Sequence, residues 1–147
     1  MPTRTARTAW NGTLQEGSGQ LELTSSGAGT FDVSFPRRAA DDAQGVTSPE
    51  ELVAAAHSSC FAMAFSNELG QAGGTPEQVE VSAEVTLGAD ADGAPEITTI
   101  ALTVRGFASG VDEAAFKAAA DAAKAGCPIS KALTGVGEIT LDVTWEG

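Results

Sequence analysis

Apolar and polar residues alternate most cleanly where Val79, Val81, Ala83, Val85 and Leu87 are interleaved with Glu80, Ser82, Glu84 and Thr86. A two-residue period puts one set on a buried face and the other in water, which predicts a strand. Ile100, Leu102 and Val104 repeat the period after an acidic turn over 88–95, and Ile139, Leu141, Val143 and Trp145 repeat it near the end. The opening third is cut into shorter pieces. Residues 3–10 are β-prone, and Asn11-Gly12 signals a two-residue hairpin. A short strand then precedes Gly17-Ser18-Gly19, and 20–24 follows as another. The turn Ser25-Ser26-Gly27 leads into 30–35, which Pro36 ends. The pattern predicts an antiparallel meander there.

The period changes at Ser48. This residue is a good N-cap, Pro49 fits the first helical position, and Glu51 completes a Ser-x-x-Glu capping box. Residues 52–71 contain no glycine or proline before Gly70 and are apolar on every side through Leu52, Val53, Ala54, Ala55, Ala56, Phe61, Ala62, Met63, Ala64 and Phe65. A helix without a broad polar face is a buried one. One sheet covers only one side of it, so its other side is expected to meet a partner subunit. Further on, Asp112 predicts the cap of a helix through Phe116 to Ala125, closed by Gly126 at C′, and Pro128 starts a short helix to Leu133. The polar residues between Pro36 and Thr47 read as a loop. No repeat or linker interrupts the chain, which predicts one α+β domain over 1–147.

Composition narrows the function. The 147 residues are 42% apolar, too many for a disordered chain, and no apolar run approaches the ~20 residues of a membrane span. Eight basic residues against twenty acidic ones leave a net charge of −12, which argues against nucleic acid and anionic membrane as partners. The start, Met1-Pro2-Thr3-Arg4, leads into no apolar segment, so no export signal is expected and a cytoplasmic location is. Two cysteines in a reducing compartment suit reactive or transient chemistry better than a permanent disulfide.

Cys60 falls inside the buried helix, where a small hydrophobe would also serve. Cys127, between Gly126 and Pro128, fits an N-cap, where backbone N–H groups and the helix dipole favour thiolate. His57 and Cys60 share a helix face, which leaves a cysteine–histidine acyl hydrolase open, although side chains at this spacing point the same way and no third, orienting residue is evident. A redox sensor built on the two thiols is the other rival. Two cysteines and one histidine without C-x-x-C spacing give no metal frame. A nucleophilic Cys60 would need help: burial raises a thiol pKa, and the dipole has faded by mid-helix. A cation at about 4 Å is worth roughly 4 kcal/mol at an effective dielectric near 20, or about three pKa units. Arg37 and Arg38 precede the helix, and Glu50 could hold one of them bidentately. Asp41 and Asp42 read as solvated loop acids.

Three segments together resemble the OsmC/Ohr family of thiol peroxidases: Thr47-Ser48-Pro49-Glu50-Glu51-Leu52, Ala55-Ala56-His57-Ser58-Ser59-Cys60-Phe61-Ala62-Met63-Ala64, and Ala125-Gly126-Cys127-Pro128-Ile129-Ser130-Lys131-Ala132-Leu133. Trp10-Asn11-Gly12 and the order of elements fit as well, and His57 with the Cys-Pro-Ile-Ser-Lys run is more similar to the OsmC branch. The resemblance implies an OsmC-like fold, with antiparallel curved sheets on long central helices, in an intertwined homodimer with its sites at the subunit interface. It also implies an antioxidant enzyme of the stress response that reduces organic hydroperoxides without a cofactor. Cys60 matches the peroxidatic cysteine, Cys127 the resolving cysteine and Glu50 the carboxylate that holds an active-site arginine; of Arg37 and Arg38, Arg38 is preferred. A dithiol, such as a lipoylated protein, would reset the disulfide. Phe61, Met63 and Phe65 are expected to favour organic over hydrogen peroxide.

Overall fold

Met1–Leu52 and Val53–Gly147 form two compact units in the computed structural model, which describes residues 1–147. In the first, strands β1 (Arg7–Asn11), β2 (Ser18–Glu22) and β3 (Thr30–Val33) make an antiparallel sheet in chain order. Arg7 pairs with Glu22, and Leu21 with Phe31. The two-residue hairpin signalled by Asn11-Gly12 does not form; the loop takes in residues 12–17, and the short strand expected before Gly17 is a turn. The cause is local. The Gly17 amide donates to the Thr13 carbonyl at 2.8 Å, and Gly12 takes φ 92°. A Cβ on Gly17 would collide with the carbonyl oxygens of Thr13 and Asn11, so only glycine closes the loop this way.

β3 stops at Val33 rather than at Phe35. Ser34 caps a short helix α1 (Phe35–Arg38), accepting from the Arg37 amide at 3.4 Å, with Pro36 in its first turn. Proline lacks an N–H and has its φ fixed near the helical value, so it suits a helix start as well as a strand end. The loop that follows is tied back by the Thr47 amide, which donates to the Asp32 carbonyl at 3.1 Å.

Helix α2 (Pro49–Gln71) begins where Ser48 predicts. The Glu51 amide donates to Ser48 Oγ at 3.1 Å, but the Glu51 carboxylate accepts from Thr47 instead, so half of the capping box is made. The helix is not enclosed on all sides in the single chain. His57, Phe61, Phe65 and Leu69, spaced four apart, are fully buried, while Ala55, Ala56, Ser59 and Met63 are exposed, Met63 to 68%.

The second unit holds a sheet in the order β4 (Thr75–Ala89), β5 (Pro95–Ser109), β6 (Glu138–Trp145). β4 and β5 are antiparallel, with Val81 opposite Val104, but β6 lies parallel to β5, with Leu141 opposite Leu102. This strand departs from an all-antiparallel expectation because two helices intervene, α3 (Glu113–Gly126) and α4 (Pro128–Ala132), and such a crossover returns the chain in the same direction. Asp112 caps α3, accepting from the Ala115 amide at 2.8 Å. Gly126 is the last helical residue and takes no positive φ, so it is not a left-handed C′ cap. Cys127 (φ −58°, ψ 121°) ends α3 and starts α4 at once.

The core of this unit joins Phe61, Phe65 and Leu69 of α2 to Leu102, Val104 and Ala108 of β5 and to Phe116, Ala119, Ala120 and Ala123 of α3. Phe116 sits edge-on to Phe65 at 4.9 Å and to Trp145 at 4.8 Å between ring centroids. No helix is long and apolar enough to cross a membrane.

Candidate active site

Cys127 and Cys60 come together on the rim of that core. α2 carries Cys60 half-buried beside Phe61, and the α3–α4 junction carries Cys127, which is fully buried. Both thiols are free, Cys60 packs against the cluster that contains Cys127, and each shifts the titration of the other. Their protons are unequally held. Burial pushes the Cys60 thiol above its ordinary range, the Ile129 amide partly offsets this, and the Cys127 sulfur adds to the rise. Burial pushes Cys127 upward too, but the amide and hydroxyl of Ser130, the Cys60 thiol and the Ile129 amide outweigh it and bring Cys127 below the thiol range. Cys127 closes no formal side-chain cap, yet its sulfur faces the first amides of α4. Of the pair, Cys127 is thus the thiol more easily deprotonated in the single chain. The groups acting on Cys60 are an amide and a thiol; none is a cation.

His57 is fully buried one turn before Cys60. Its Nε2 is 2.7 Å from Ser130 Oγ, and its Nδ1 is enclosed without a partner. Burial pushes the imidazole below its ordinary pKa, so the ring is neutral. The ring nitrogens thus leave Cys60 alone, and the cysteine–histidine pair of a hydrolase is not formed. Ser130 is the functional candidate that sequence reading missed. Its only signal is its place three residues after the cysteine that starts α4.

The arginine and glutamate are both in the first unit. Arg38 Nη2 lies 2.6 Å from Glu50 Oε1, and Nε lies 3.1 Å from each carboxylate oxygen. Burial pushes the Glu50 carboxyl up, but Arg38, its own backbone amide and the Ser48 hydroxyl hold it below the usual range. The Glu50 hydrogen bond raises Arg38 further against a smaller desolvation. Arg37 makes no ion pair; its amide caps on Ser34. Asp41 and Asp42 are exposed. A cavity of about 410 Å³ opens in this unit, walled by Trp10, Leu14, Leu21, Val33, Phe35 and Leu52, with Arg38 on its lining.

Phe61 and Phe65 have no exposed surface and pack on the core, so they cannot touch a substrate, contrary to the sequence expectation; Met63 alone of the three is open. No group of three or more His, Cys, Asp or Glu side chains is gathered for a metal ion.

The family of OsmC-like proteins matches residues 41–142. Over 133 residues, 90% of each chain, the sequence is 38% identical to Peroxiredoxin OsmC of Escherichia coli (strain K12). Among solved structures, an organic hydroperoxide resistance protein OsmC from Legionella pneumophila superposes with a TM-score of 0.74 at 25% identity, covering 98% of both chains. The Organic Hydroperoxide Resistance Protein OhrB of Bacillus subtilis superposes with a TM-score of 0.71 at 27% identity, covering 95% of this chain and 98% of that one.

Proposed function

The chain belongs to the OsmC-like protein family, and on that premise we propose that it is a cytoplasmic thiol peroxidase, a single OsmC-like domain over 1–147 that reduces organic hydroperoxides to alcohols. The observation that carries this reading is the approach of two free thiols, Cys60 and Cys127, one of them at the start of a helix.

The Cys60 thiolate attacks the terminal peroxide oxygen. The O–O bond breaks, the S–O bond forms, and the alkoxide leaves and takes a proton from water, so Cys60 is oxidised to sulfenic acid and the peroxide reduced to an alcohol. The Cys127 thiolate then attacks the Cys60 sulfur; the S–S bond forms and hydroxide leaves, taking up through solvent the proton that the Cys127 thiol released. A dithiol, such as that of a lipoylated protein, reduces the disulfide and restores both thiols. Of the two thiols Cys127 is the one drawn below its ordinary range, which suits the second step.

The first step requires the charge on Cys60, and for that a cation is needed. We assign this role to Arg38, oriented by Glu50, in an intertwined homodimer whose sites lie at the subunit interface. The exposed Ala55, Ala56 and Met63 on α2 support a partner subunit, since apolar helix surface left in water is costly. The apolar cavity with Arg38 on its wall supports an organic rather than a purely polar peroxide.

Peroxide consumption with excess dithiol tests the reading. Wild type consumes many equivalents, Cys60→Ser none, and Cys127→Ser stalls as Cys60 passes to sulfinic acid. Single-equivalent oxidation of the wild type would favour a redox sensor instead, and full turnover by Cys60→Ser would refute the assignment.

A further inference from the structure

His57 is buried, titratable and unused by the chemistry above, and its one partner is Ser130. The two are 73 positions apart in sequence, so the fold and not local geometry joins them. The enclosed, unpartnered Nδ1 decides the tautomer. An orphaned N–H is the rarer and costlier of the two possibilities, so Nδ1 carries the lone pair and Nε2 the proton. Nε2–H then donates to Ser130 Oγ. With its oxygen occupied as an acceptor, the Ser130 hydroxyl is free to donate, and Ser130, the third residue of α4, shares the buried first turn with Cys127, which caps that helix.

We propose that His57 is a positioning residue for the resolving cysteine, acting through Ser130: the histidine N–H fixes the serine hydroxyl so that its proton points at Cys127 and holds that sulfur ready as thiolate. The inference rests on the reading of Cys127 as the cysteine that resolves the Cys60 sulfenic acid, and it deepens that reading. The thiol of Cys127 is drawn below its ordinary range in part by that hydroxyl. No charged group acts on His57 itself; burial alone keeps it neutral, so the relay works by a neutral donor and not by an imidazolium.

The test separates the two oxidation steps. Reduced protein is mixed with one equivalent of cumene hydroperoxide and quenched with an alkylating reagent at successive times. Mass spectrometry then gives the rate of Cys60 sulfenic acid formation and the rate of its conversion to the Cys60–Cys127 disulfide. In Ser130→Ala and His57→Leu the ratio of the second rate to the first falls about tenfold near neutral pH, as expected for a Cys127 pKa raised by about one unit. The pH midpoint of the disulfide-forming step moves upward, and Cys60 sulfinic acid accumulates. His57→Gln, which keeps an N–H donor, recovers most of the ratio. Ser130→Ala deletes one oxygen and carries the test should His57→Leu fail to fold. If the wild type closes the disulfide and Ser130→Ala matches it in ratio and pH midpoint, the relay is overturned while the peroxidase reading stands. If the wild type consumes peroxide but never forms the disulfide, the resolving role of Cys127 falls and the relay with it.

Discussion

Arg38 grips Glu50 by two edges of its guanidinium, Nη2 at 2.6 Å from one carboxylate oxygen and Nε at 3.1 Å from both. Two parallel contacts fix the plane of the guanidinium as well as its position, which a single ammonium cannot do. The pair is also shielded, with side-chain exposures of 31% for Arg38 and 11% for Glu50, so its geometry resists solvent competition. A charge oriented in this way can be presented to a reacting group without reorganisation at the moment of reaction.

Replacing Arg38 therefore tests charge and geometry separately. Arg38→Met is expected to lower kcat/KM for cumene hydroperoxide by up to about a thousandfold, since a cation near 4 Å is worth roughly 4 kcal/mol. Arg38→Lys keeps the charge but loses the fork, and a loss of about tenfold to a hundredfold is expected. The pH midpoint for alkylation of Cys60 should rise in both, further in Arg38→Met.

The same pair sets an acid limit on stability. The Glu50 carboxyl is held below its ordinary value of 4.5, so on acidification the unfolded chain takes up this proton first. Its contribution is fully present above pH 4.5 and is lost as the pH falls through the lower folded value. The urea midpoint of Glu50→Gln should lie below that of the wild type at neutral pH, and the gap should close progressively below pH 4.5.

Phe116 joins two aromatic contacts in the core, with Phe65 and with Trp145. Phe116→Ala is expected to cost about 3–5 kcal/mol, because it removes a fully buried ring and leaves a cavity between a helix and a sheet. Urea denaturation followed by tryptophan fluorescence would measure it, since Trp145 loses the ring at 4.8 Å.

Substrate preference should follow the cavity of the first unit and not the buried phenylalanines. Leu14 lines it and is 57% exposed, so a polar substitution there spares folding. Leu14→Asp is expected to lower kcat/KM for cumene hydroperoxide about tenfold more than for hydrogen peroxide, the scale of one partly buried apolar contact. Equal effects on the two peroxides would remove the cavity from the account.

What the chain disclosed before folding was governed by distance along it. Ser48 and the unbroken run to Gly70 announced α2, and alternation announced β4 to β6, because caps and periods are local. The parallel pairing of β6 was invisible, since alternation carries no direction. Asn11-Gly12 misled because the hairpin rule competes with the closure at Gly17, which depends on carbonyls four and six residues back. Arg38 was preferred to Arg37 only through the resemblance, and nothing local to the two residues separates them; the fold does, since Ser34 and Pro36 start a helix and Glu50 takes Arg38. The thiolate-favouring position of Cys127 could be read from Gly126 and Pro128 beside it. The hydrogen bond between His57 and Ser130 could not, because nothing local relates residues 73 positions apart.

Whether Cys60 reduces the peroxide and Cys127 resolves the sulfenic acid is read from the mass of the reduced protein after one equivalent of cumene hydroperoxide. The wild type is expected to lose two hydrogens, with peptide mapping placing the new bond between Cys60 and Cys127, and Cys127→Ser to gain one oxygen on Cys60. A wild type left unchanged in mass, or oxidised first at a residue other than Cys60, would contradict these roles.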